Sequence, residues 1–255
     1  MRYADRLDLQ RFLDRLLSRS VLTREEQDAI LDLPCHFAEV KANRDFVGLR
    51  EDVDHASLIV DGLVGRFDQN SDGVRQITAI HIPGDMANLH SVVQPQATSA
   101  LQALSVATIL RVSHAAIRSA TARFPALAEA LWRDCMVDAA ILSQWVINVG
   151  RRDARTRVAH LLCEIGTRLD VRGQKQIFSF PFAVTQFQLA DAAGLTSVHV
   201  NRVLRSLRQD GLAIAGNREV KILDWDGLAR AGEFNANYLQ TRIKPDDRIR
   251  IIQPV

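Results

Sequence analysis

The sequence predicts an α+β protein of two domains, an N-terminal antiparallel β-roll and a C-terminal helical domain, joined by a long helix. Three patterns predict this fold. Short apolar runs broken by glycines fill residues 36–112, a helical apolar period follows residue 113, and two capped helices precede a hairpin pattern within residues 185–223. At 255 residues the chain exceeds the usual single-domain size of about 100 to 200 residues. A content of 47% hydrophobic and 24% charged residues favours folded domains over disorder.

The first 20 residues alternate charged with apolar side chains, which predicts an amphipathic helix and not a signal peptide. Thr23 and Glu26 form a capping-box pattern before a short helix ending near Leu33. No stretch approaches the roughly 18 to 20 apolar residues of a membrane-spanning helix. We therefore expect a soluble protein with no membrane partner.

The three cysteines are far apart and form no Cys-x-x-Cys pair: Cys35, Cys135 and Cys163. This arrangement argues against a disulfide framework and against a thiolate metal site. It favours the reducing cytoplasm as the compartment.

Between residues 36 and 112 the apolar residues come in runs of about five residues or fewer, as at 58–60 and 107–110, or alternate with polar ones, as at 77–82. Asn70 to Gly73 has the composition of a hairpin turn. Many short antiparallel strands indicate a sandwich or a barrel-like roll.

From Ala128 onward, apolar residues recur at alternating spacings of four and three, the pattern of a coiled-coil seam three heptads long. The seam residues are Ala128, Trp132, Cys135, Ala139, Leu142, Val146 and Val149. This stripe is narrower than a core helix usually needs, which favours dimerisation over a single core helix of a monomer. For Cys135, simple packing in the seam is the first interpretation and redox sensing the second. A second helix, about 153–169, follows a break at Gly150 with Arg151 and Arg152.

Basic charge is concentrated in the C-terminal part of the chain. Residues 1–150 hold 15 Lys and Arg against 19 Asp and Glu, a net of −4, whereas residues 151–255 hold 17 against 11, a net of +6. Cations set against phosphates release counterions, so this asymmetry is compatible with a polyanionic partner. It does not by itself identify nucleic acid.

The sharpest pattern starts at Thr185, which can cap a short helix at 186–193. Gly194 permits a left-handed turn, Leu195 can fill the space between two helices, and Thr196 caps a second helix at 197–209. In that second helix the residues predicted to face the core are Val200, Val203, Leu204 and Leu207. The residues predicted to face outward are Ser197, His199, Asn201, Arg202, Arg205 and Arg208.

Helix, glycine turn and capped basic helix form the helix-turn-helix arrangement, in which the second helix enters the major groove of DNA. Residues 211–222 continue as a hairpin with a polar tip, placed as a wing that contacts phosphate. The alternative is two ordinary packed helices with a solvated basic face. That alternative would require a helix cap, a turn glycine, an apolar residue between the helices, a second cap and a hairpin to occur together by chance within 40 residues.

These residues resemble the CRP/FNR superfamily of bacterial transcription regulators, especially alphaproteobacterial members. The resemblance covers nearly the whole chain, and its strongest segments are 185–191 and 194–202; it continues through 58–62, 83–85 and 234–239. It implies an N-terminal cyclic-nucleotide-binding-like β-roll (1–125), a dimerisation helix (126–151) and a winged helix-turn-helix domain with a C-terminal extension (152–255). It also implies a homodimer on palindromic double-stranded DNA, with RNA polymerase as a further partner. The effector pocket would include Gly84, Asp85, Thr98 and Ser99.

Two departures from the family concern its ligands. Cyclic-nucleotide binders hold the cyclic phosphate with an Arg-Ser pair after the Pro-Gly turn, but this chain has no arginine between Arg75 and Arg111. Oxygen sensors use an N-terminal cysteine cluster, and only Cys35 lies near the start here. We therefore expect neither cyclic AMP in the usual manner nor an iron–sulfur cluster. Haem or a metal at His81, His90 or Cys35 stays open, although a single histidine is more often a satisfied structural residue.

A third departure concerns DNA. Many family members carry Glu three residues before the equivalent of Asn201, where this chain has Val198, so a different operator half-site is expected. By the resemblance, Arg202 matches the near-universal arginine, while Ser197, His199 and Asn201 set the local preference. The predicted DNA-binding residues are Thr185, Gln186, Thr196, Ser197, His199, Asn201, Arg202 and Arg205.

Three functions are compared. A DNA-binding regulator, activator or repressor, is first, and a ligand-sensing module acting through protein contacts is second. An enzyme is last, because no nucleophile elbow, P-loop, dinucleotide fingerprint or metal-spaced cluster appears in the sequence. A signal in the roll, or a fixed active conformation needing none, would act on a hinge near residues 148–152.

Overall fold

The computed structural model describes residues 3–169, 176–241 and 243–252. Its first two helices are α1 (Tyr3–Leu17) and α2 (Arg24–Leu31). The predicted capping box before α2 is confirmed, since Thr23 accepts from the amide of Glu26 while the Glu26 carboxylate accepts from the amide of Thr23. The helix ends two residues before the predicted Leu33.

Seven strands form the predicted roll, and all their pairings are antiparallel. They are β1 (Cys35–Val40), β2 (Asp45–Val47), β3 (His55–Asp61), β4 (Val64–Gln69), β5 (Arg75–His81), β6 (Ala100–Ala103) and β7 (Ala107–Ser113). Their sheet orders are β1-β7-β3 and β2-β6-β4-β5, and apolar side chains such as Val47, Ile59 and Ile109 are buried in one cluster that both sheets line. The predicted turn at 70–73 joins β4 to β5, where Gln69 pairs with Arg75.

Three helices follow the roll: α3 (His114–Arg123), α4 (Pro125–Arg151) and α5 (Ala154–Arg168). α4 packs Val137, Ile141 and Trp145 into the main core. The backbone leaves the helix at Arg152, which is extended, and Asp153 caps α5 by accepting from the amide of Thr156 at 2.8 Å. The predicted break between the two helices is therefore present, but it lies at Arg152, because Gly150 and Arg151 still belong to α4.

The C-terminal part contains β8 (Phe178–Pro181), α6 (Gln186–Ala193), α7 (Ser197–Gln209), β9 (Ala213–Gly216), β10 (Glu219–Ile222) and α8 (Trp225–Ala231). Its sheet has the order β8-β10-β9. Strand β8 was not predicted from the sequence, and it adds a third strand to the wing hairpin. Phe178 and Phe180 on β8 pack into the core beneath α5, close to Gly166.

The last described residues return to the N-terminal helices. Ile249 bridges to Ser20, and Arg250 donates two hydrogen bonds to the Glu26 carboxylate, at 2.7 and 2.8 Å. These bonds lower the pKa of Glu26. The amide of Ile251 donates to Glu129 on α4. The segment 249–252 thus joins α2 to α4.

His160 on α5 is buried beneath the segment that follows α8. Its Nδ1 lies 3.0 Å from the carbonyl oxygen of Gly232, and its Nε2 lies 3.1 Å from the hydroxyl of Tyr238, which donates to Glu164. Burial, with a smaller contribution from the nearby Arg152, lowers the pKa of His160 to about 4. The imidazole is therefore neutral in the folded protein at neutral pH.

This histidine should make the protein less stable in mild acid. Its folded-state pKa lies below the unfolded value of about 6.5, so protons bind the unfolded chain more strongly and stability is lost as the pH falls from about 6.5 towards 4. We expect His160 to contribute a loss on the order of 2 kcal/mol between pH 7.5 and pH 5. Urea unfolding at both pH values should show a smaller loss for His160→Gln than for the unsubstituted chain. Equal losses would contradict the assignment.

Candidate nucleic-acid interface

α6 and its turn are built by the local chemistry that the sequence predicts. The amide of Gln188 donates to Thr185 Oγ1 at 3.2 Å, and the amide of Thr185 donates to Gln188 Oε1 at 2.8 Å, a complete capping box. Gly194 ends α6 with φ of 63°, a left-handed conformation that a β-carbon would strain. Leu195 is half-buried and packs against the main core. The predicted turn is confirmed.

α7 starts at the predicted cap, where Thr196 Oγ1 accepts from the amide of His199 at 3.2 Å. One side of the helix is anchored, because Val200, Val203 and Leu207 are buried and Leu204 is partly buried. The opposite side bears Arg202, Arg205 and Arg208, which are all exposed. α7 is therefore held from behind and presents a basic face to solvent.

Side chains of α6 and α7 line a shallow surface cavity of about 500 Å³, named here the α7 surface. Its lining residues are Gln186, Ser197, Val198, Asn201, Arg202 and Arg205. Asn201 Nδ2 donates to Gln186 Oε1 at 3.2 Å and so connects the two helices. Across the described ranges 3–169, 176–241 and 243–252, no carboxylate pairs with Arg202 or Arg205. Both cations are free to meet an anionic partner.

Five of the eight residues predicted to bind DNA lie together on the α7 surface: Gln186, Ser197, Asn201, Arg202 and Arg205. The hydroxyls of Thr185 and Thr196 are used as helix caps, and His199 is half-buried just outside the cavity. Val198 was not among the eight predicted residues, yet it lines the α7 surface and is 70% exposed. An apolar residue on the second position of a basic helix was the signal that could have identified it.

The predicted wing hairpin is present. β9 and β10 pair in antiparallel register, with Gly216 opposite Glu219 next to the tip and Ala213 opposite Ile222 at the other end. Its tip consists of Asn217 and Arg218, both with positive φ, as tight two-residue hairpins require. Both side chains are exposed. The tip thus offers one further exposed cation, Arg218.

The predicted seam of α4 lies on the side of the helix that faces away from the core. Trp132 is 68% exposed, Val146 62% and Leu142 37%; Ala139 is exposed, and Ala128, Cys135 and Val149 are half-buried. Met136, at 66% exposure, widens the stripe. Burial raises the pKa of Cys135 to about 12, with Asp134 and Asp138 adding to the effect, so its thiol stays protonated. Large apolar side chains are thus exposed along three turns or more.

Three of the four predicted effector-pocket residues line one cavity of about 380 Å³ between the roll and α4, the roll cavity: Asp85, Thr98 and Ser99. Gly84 instead lines a neighbouring cavity of about 590 Å³ between α1, α4 and α5. The buried Asp85 carboxylate forms ion pairs with Arg15 on α1 and Arg168 on α5. Burial opposes ionisation, but the two guanidinium groups hold the pKa of Asp85 well below its usual range.

Two arginines from outside residues 75–111 also line the roll cavity. Arg15 comes from α1 and Arg66 from β4. Each already has a carboxylate partner, because Arg15 pairs with Asp85 and Asp134, and Arg66 pairs with Asp138 at 2.8 Å. By contrast, Asp68 has no cation partner within the described residues and accepts from the Ser99 hydroxyl at 2.8 Å. The charge that stays unpaired in the roll cavity is therefore negative.

The histidines considered for haem, His81 and His90, both line the roll cavity, whereas Cys35 lies on β1 and does not. His81 Nδ1 lies 3.7 Å from Asp85, and burial together with Arg66 lowers the pKa of His90. Over residues 3–169, 176–241 and 243–252, no three His, Cys, Asp or Glu side chains are grouped as metal ligands would be. In the same part of the chain, no helix is both long and apolar enough to cross a membrane.

A β-roll followed by a long helix and a winged helix-turn-helix with a free basic face defines a DNA-binding protein of the regulator class. The sequence comparisons agree. A family profile described as the Crp-like helix-turn-helix domain matches residues 156–231. The chain is 26% identical over 203 residues to the nitrogen fixation regulation protein FixK of Azorhizobium caulinodans, covering 79% of this chain and 80% of that protein. It is 24% identical over 219 residues to the transcriptional activator protein FnrL of Cereibacter sphaeroides, covering 82% and 86%.

Solved structures give the same result. FixK2 from Bradyrhizobium japonicum superimposes with a TM-score of 0.71 at 26% identity, over 78% of this chain and 98% of that one. A CooA mutant from Carboxydothermus hydrogenoformans shares the fold with a TM-score of 0.62 at 18% identity, over 78% and 88%. The chain carries a Crp-like helix-turn-helix domain, and these similarities together support a DNA-binding transcription regulator of CRP/FNR type.

Proposed function

We propose that the chain binds a palindromic operator as a homodimer, with α7 of each protomer in the major groove. The observation that carries this proposal is the exposed basic face of α7, whose Arg202 and Arg205 have no carboxylate partner in the described residues. An arginine on such a helix can donate two hydrogen bonds to guanine, and Asn201 can pair with adenine. Ser197, His199 and Gln186 add polar contacts, and Thr185 and Thr196 fix the helix ends nearest the DNA backbone.

The dimer would form through the exposed stripe of α4, because packing two such stripes together removes Trp132, Leu142 and Val146 from water. A two-fold axis along α4 would set the two copies of α7 about 34 Å apart, one turn of the double helix. Half-sites would then be related by the same symmetry. A hinge at 148–152, where α4 gives way to α5, would allow that spacing to change.

Effector control would act through the roll cavity. Arg15 and Arg66 are both neutralised by carboxylates, and Asp68 is the carboxylate left without a cation. A cyclic phosphate would have to displace Asp138 from Arg66, so we expect a neutral or cationic small molecule, or no effector at all, in place of cyclic AMP. Absorbance of the purified protein without a Soret band would exclude haem at His81 or His90.

Selection from random double-stranded DNA by the full-length protein tests the proposal. We expect a two-fold symmetric sequence to be enriched, with an affinity that falls about 10³- to 10⁵-fold between 50 and 200 mM salt. The second candidate is a sensor acting through protein contacts, favoured by the exposed Phe187 on α6. It predicts no enriched DNA sequence. In vitro transcription from the selected operator, with purified RNA polymerase, would show whether the protein recruits or blocks the polymerase.

A further inference from the structure

We propose that Val198 reads the C5-methyl group of a thymine in each operator half-site. The inference depends on the proposed function, since it requires that α7 enters the major groove. It adds to the proposed function a specific contact between an apolar side chain and thymine. Val198 lies one helical turn before Arg202.

Val198 has no structural task in the folded chain. It lies in the first turn of α7 and is 70% exposed, whereas Val200 and Val203 on the same helix are 0% and 6% exposed and provide the packing. The other residues that line the α7 surface are all polar or basic. An isopropyl group is therefore held in water on a surface that is otherwise polar.

The partner surface offers one apolar feature that such a group fits. The major-groove edges of the four bases present hydrogen-bond donors and acceptors, and only thymine adds a methyl group. Valine can make no hydrogen bond, but in a helix its χ1 angle is about 90% restricted to one rotamer. It therefore presents its methyl groups at a fixed place with little entropy left to lose on binding.

The position of Val198 next to Arg202 strengthens the assignment. Residues four apart on a helix are neighbours on one face, and both side chains line the same cavity. If Arg202 contacts a base edge, Val198 reaches the same groove one helical turn towards the start of α7. The contacted thymine should lie within a step or two of the base read by Arg202.

Replacing thymine by deoxyuridine tests this directly, because the change removes the methyl group and keeps the pairing edge. With the selected operator, each thymine is exchanged in turn, symmetrically in both half-sites, and affinity is measured by fluorescence anisotropy. For the unsubstituted protein we expect one symmetric pair at which the exchange weakens binding by roughly 15-fold, about fourfold per buried methyl group. Val198→Ala should weaken binding to the thymine operator to a similar extent and be insensitive to deoxyuridine at that pair.

Val93→Ala is the matched control, because Val93 is 80% exposed and lies in the roll. It should bind like the unsubstituted protein at every position. The proposal is overturned if Val198→Ala binds as tightly as the control, as a protein-docking role shared with Phe187 would predict, or if it keeps full sensitivity to deoxyuridine. In both cases the proposed function survives, since the operator is still bound; if no operator is enriched, both fail.

Discussion

Replacing Arg202 by alanine should abolish sequence-specific DNA binding while leaving the fold intact. The side chain is exposed on α7 and has no carboxylate partner among the described residues, so its removal leaves no buried group unpaired. A bidentate contact to a base contributes about 1 to 3 kcal/mol, and a two-fold dimer loses it twice. The expected loss is about 2 to 6 kcal/mol, or roughly 30-fold to more than 10⁴-fold in affinity for the selected operator.

Two measurements separate a base-specific contact of Arg202 from a non-specific electrostatic attraction to DNA. Affinity for random-sequence DNA should fall far less than affinity for the operator, because non-specific binding depends on phosphate contacts. Arg208→Ala is the matched control, since Arg208 is exposed on the last turn of α7 and does not line the α7 surface. Thermal unfolding should be the same for both variants. If Arg202→Ala binds the operator as tightly as Arg208→Ala, the assigned role is wrong.

The helix-turn-helix could be predicted because its determinants are local. The Thr185 and Thr196 hydroxyls cap helices that begin at the next residue, and Gly194 supplies the one left-handed residue between them. Each interaction joins residues no more than three or four positions apart. Such features are visible in sequence without knowledge of the tertiary fold.

Long-range contacts could not be predicted in this way. Arg15 and Arg66 enter the roll cavity from α1 and β4, and no spacing rule relates them to Ser99. The same holds for Arg250, which meets Glu26 over 224 positions of sequence. Pairing of these groups depends on packing of whole elements. Arginines near the cavity therefore come from outside residues 75–111, yet the expectation that cyclic AMP does not bind in the usual manner keeps a physical basis, because Arg15 and Arg66 are both paired with carboxylates.

Strand β8 was missed for a different reason. Its four residues alternate Phe178, Ser179, Phe180 and Pro181, which is too short a run to indicate a strand, and a proline argues against one. Among the residues that the structure describes, β8 pairs only with β10 and lies at the edge of its sheet, where a proline is tolerated. Tertiary packing of the phenylalanines against α5 decides the conformation.

Introducing a charge into the α4 stripe should separate the proposed dimer and reduce operator binding to the non-specific level. Val146 is 62% exposed in the single chain, so glutamate there costs the monomer little. At a two-fold seam the same residue of both protomers meets near the axis, and two carboxylates would be buried together. Affinity should fall from a specific range of about 10⁻⁸ to 10⁻¹¹ M to about 10⁻⁴ to 10⁻⁶ M.

Light scattering at micromolar concentration should show Val146→Glu as a monomer and Val93→Glu, the same change at an exposed valine of the roll, as a dimer. A mixture of Val146→Glu with Val146→Lys gives the stronger test. If the two copies of residue 146 face each other, opposite charges should restore a heterodimer and, with it, operator binding. Failure of the mixture to associate, or an unsubstituted protein that is monomeric, would mean that α4 does not form the seam. The spacing of the two recognition helices would then need another origin, because α4 is the element that connects the roll to α5 and the DNA-binding part of the chain.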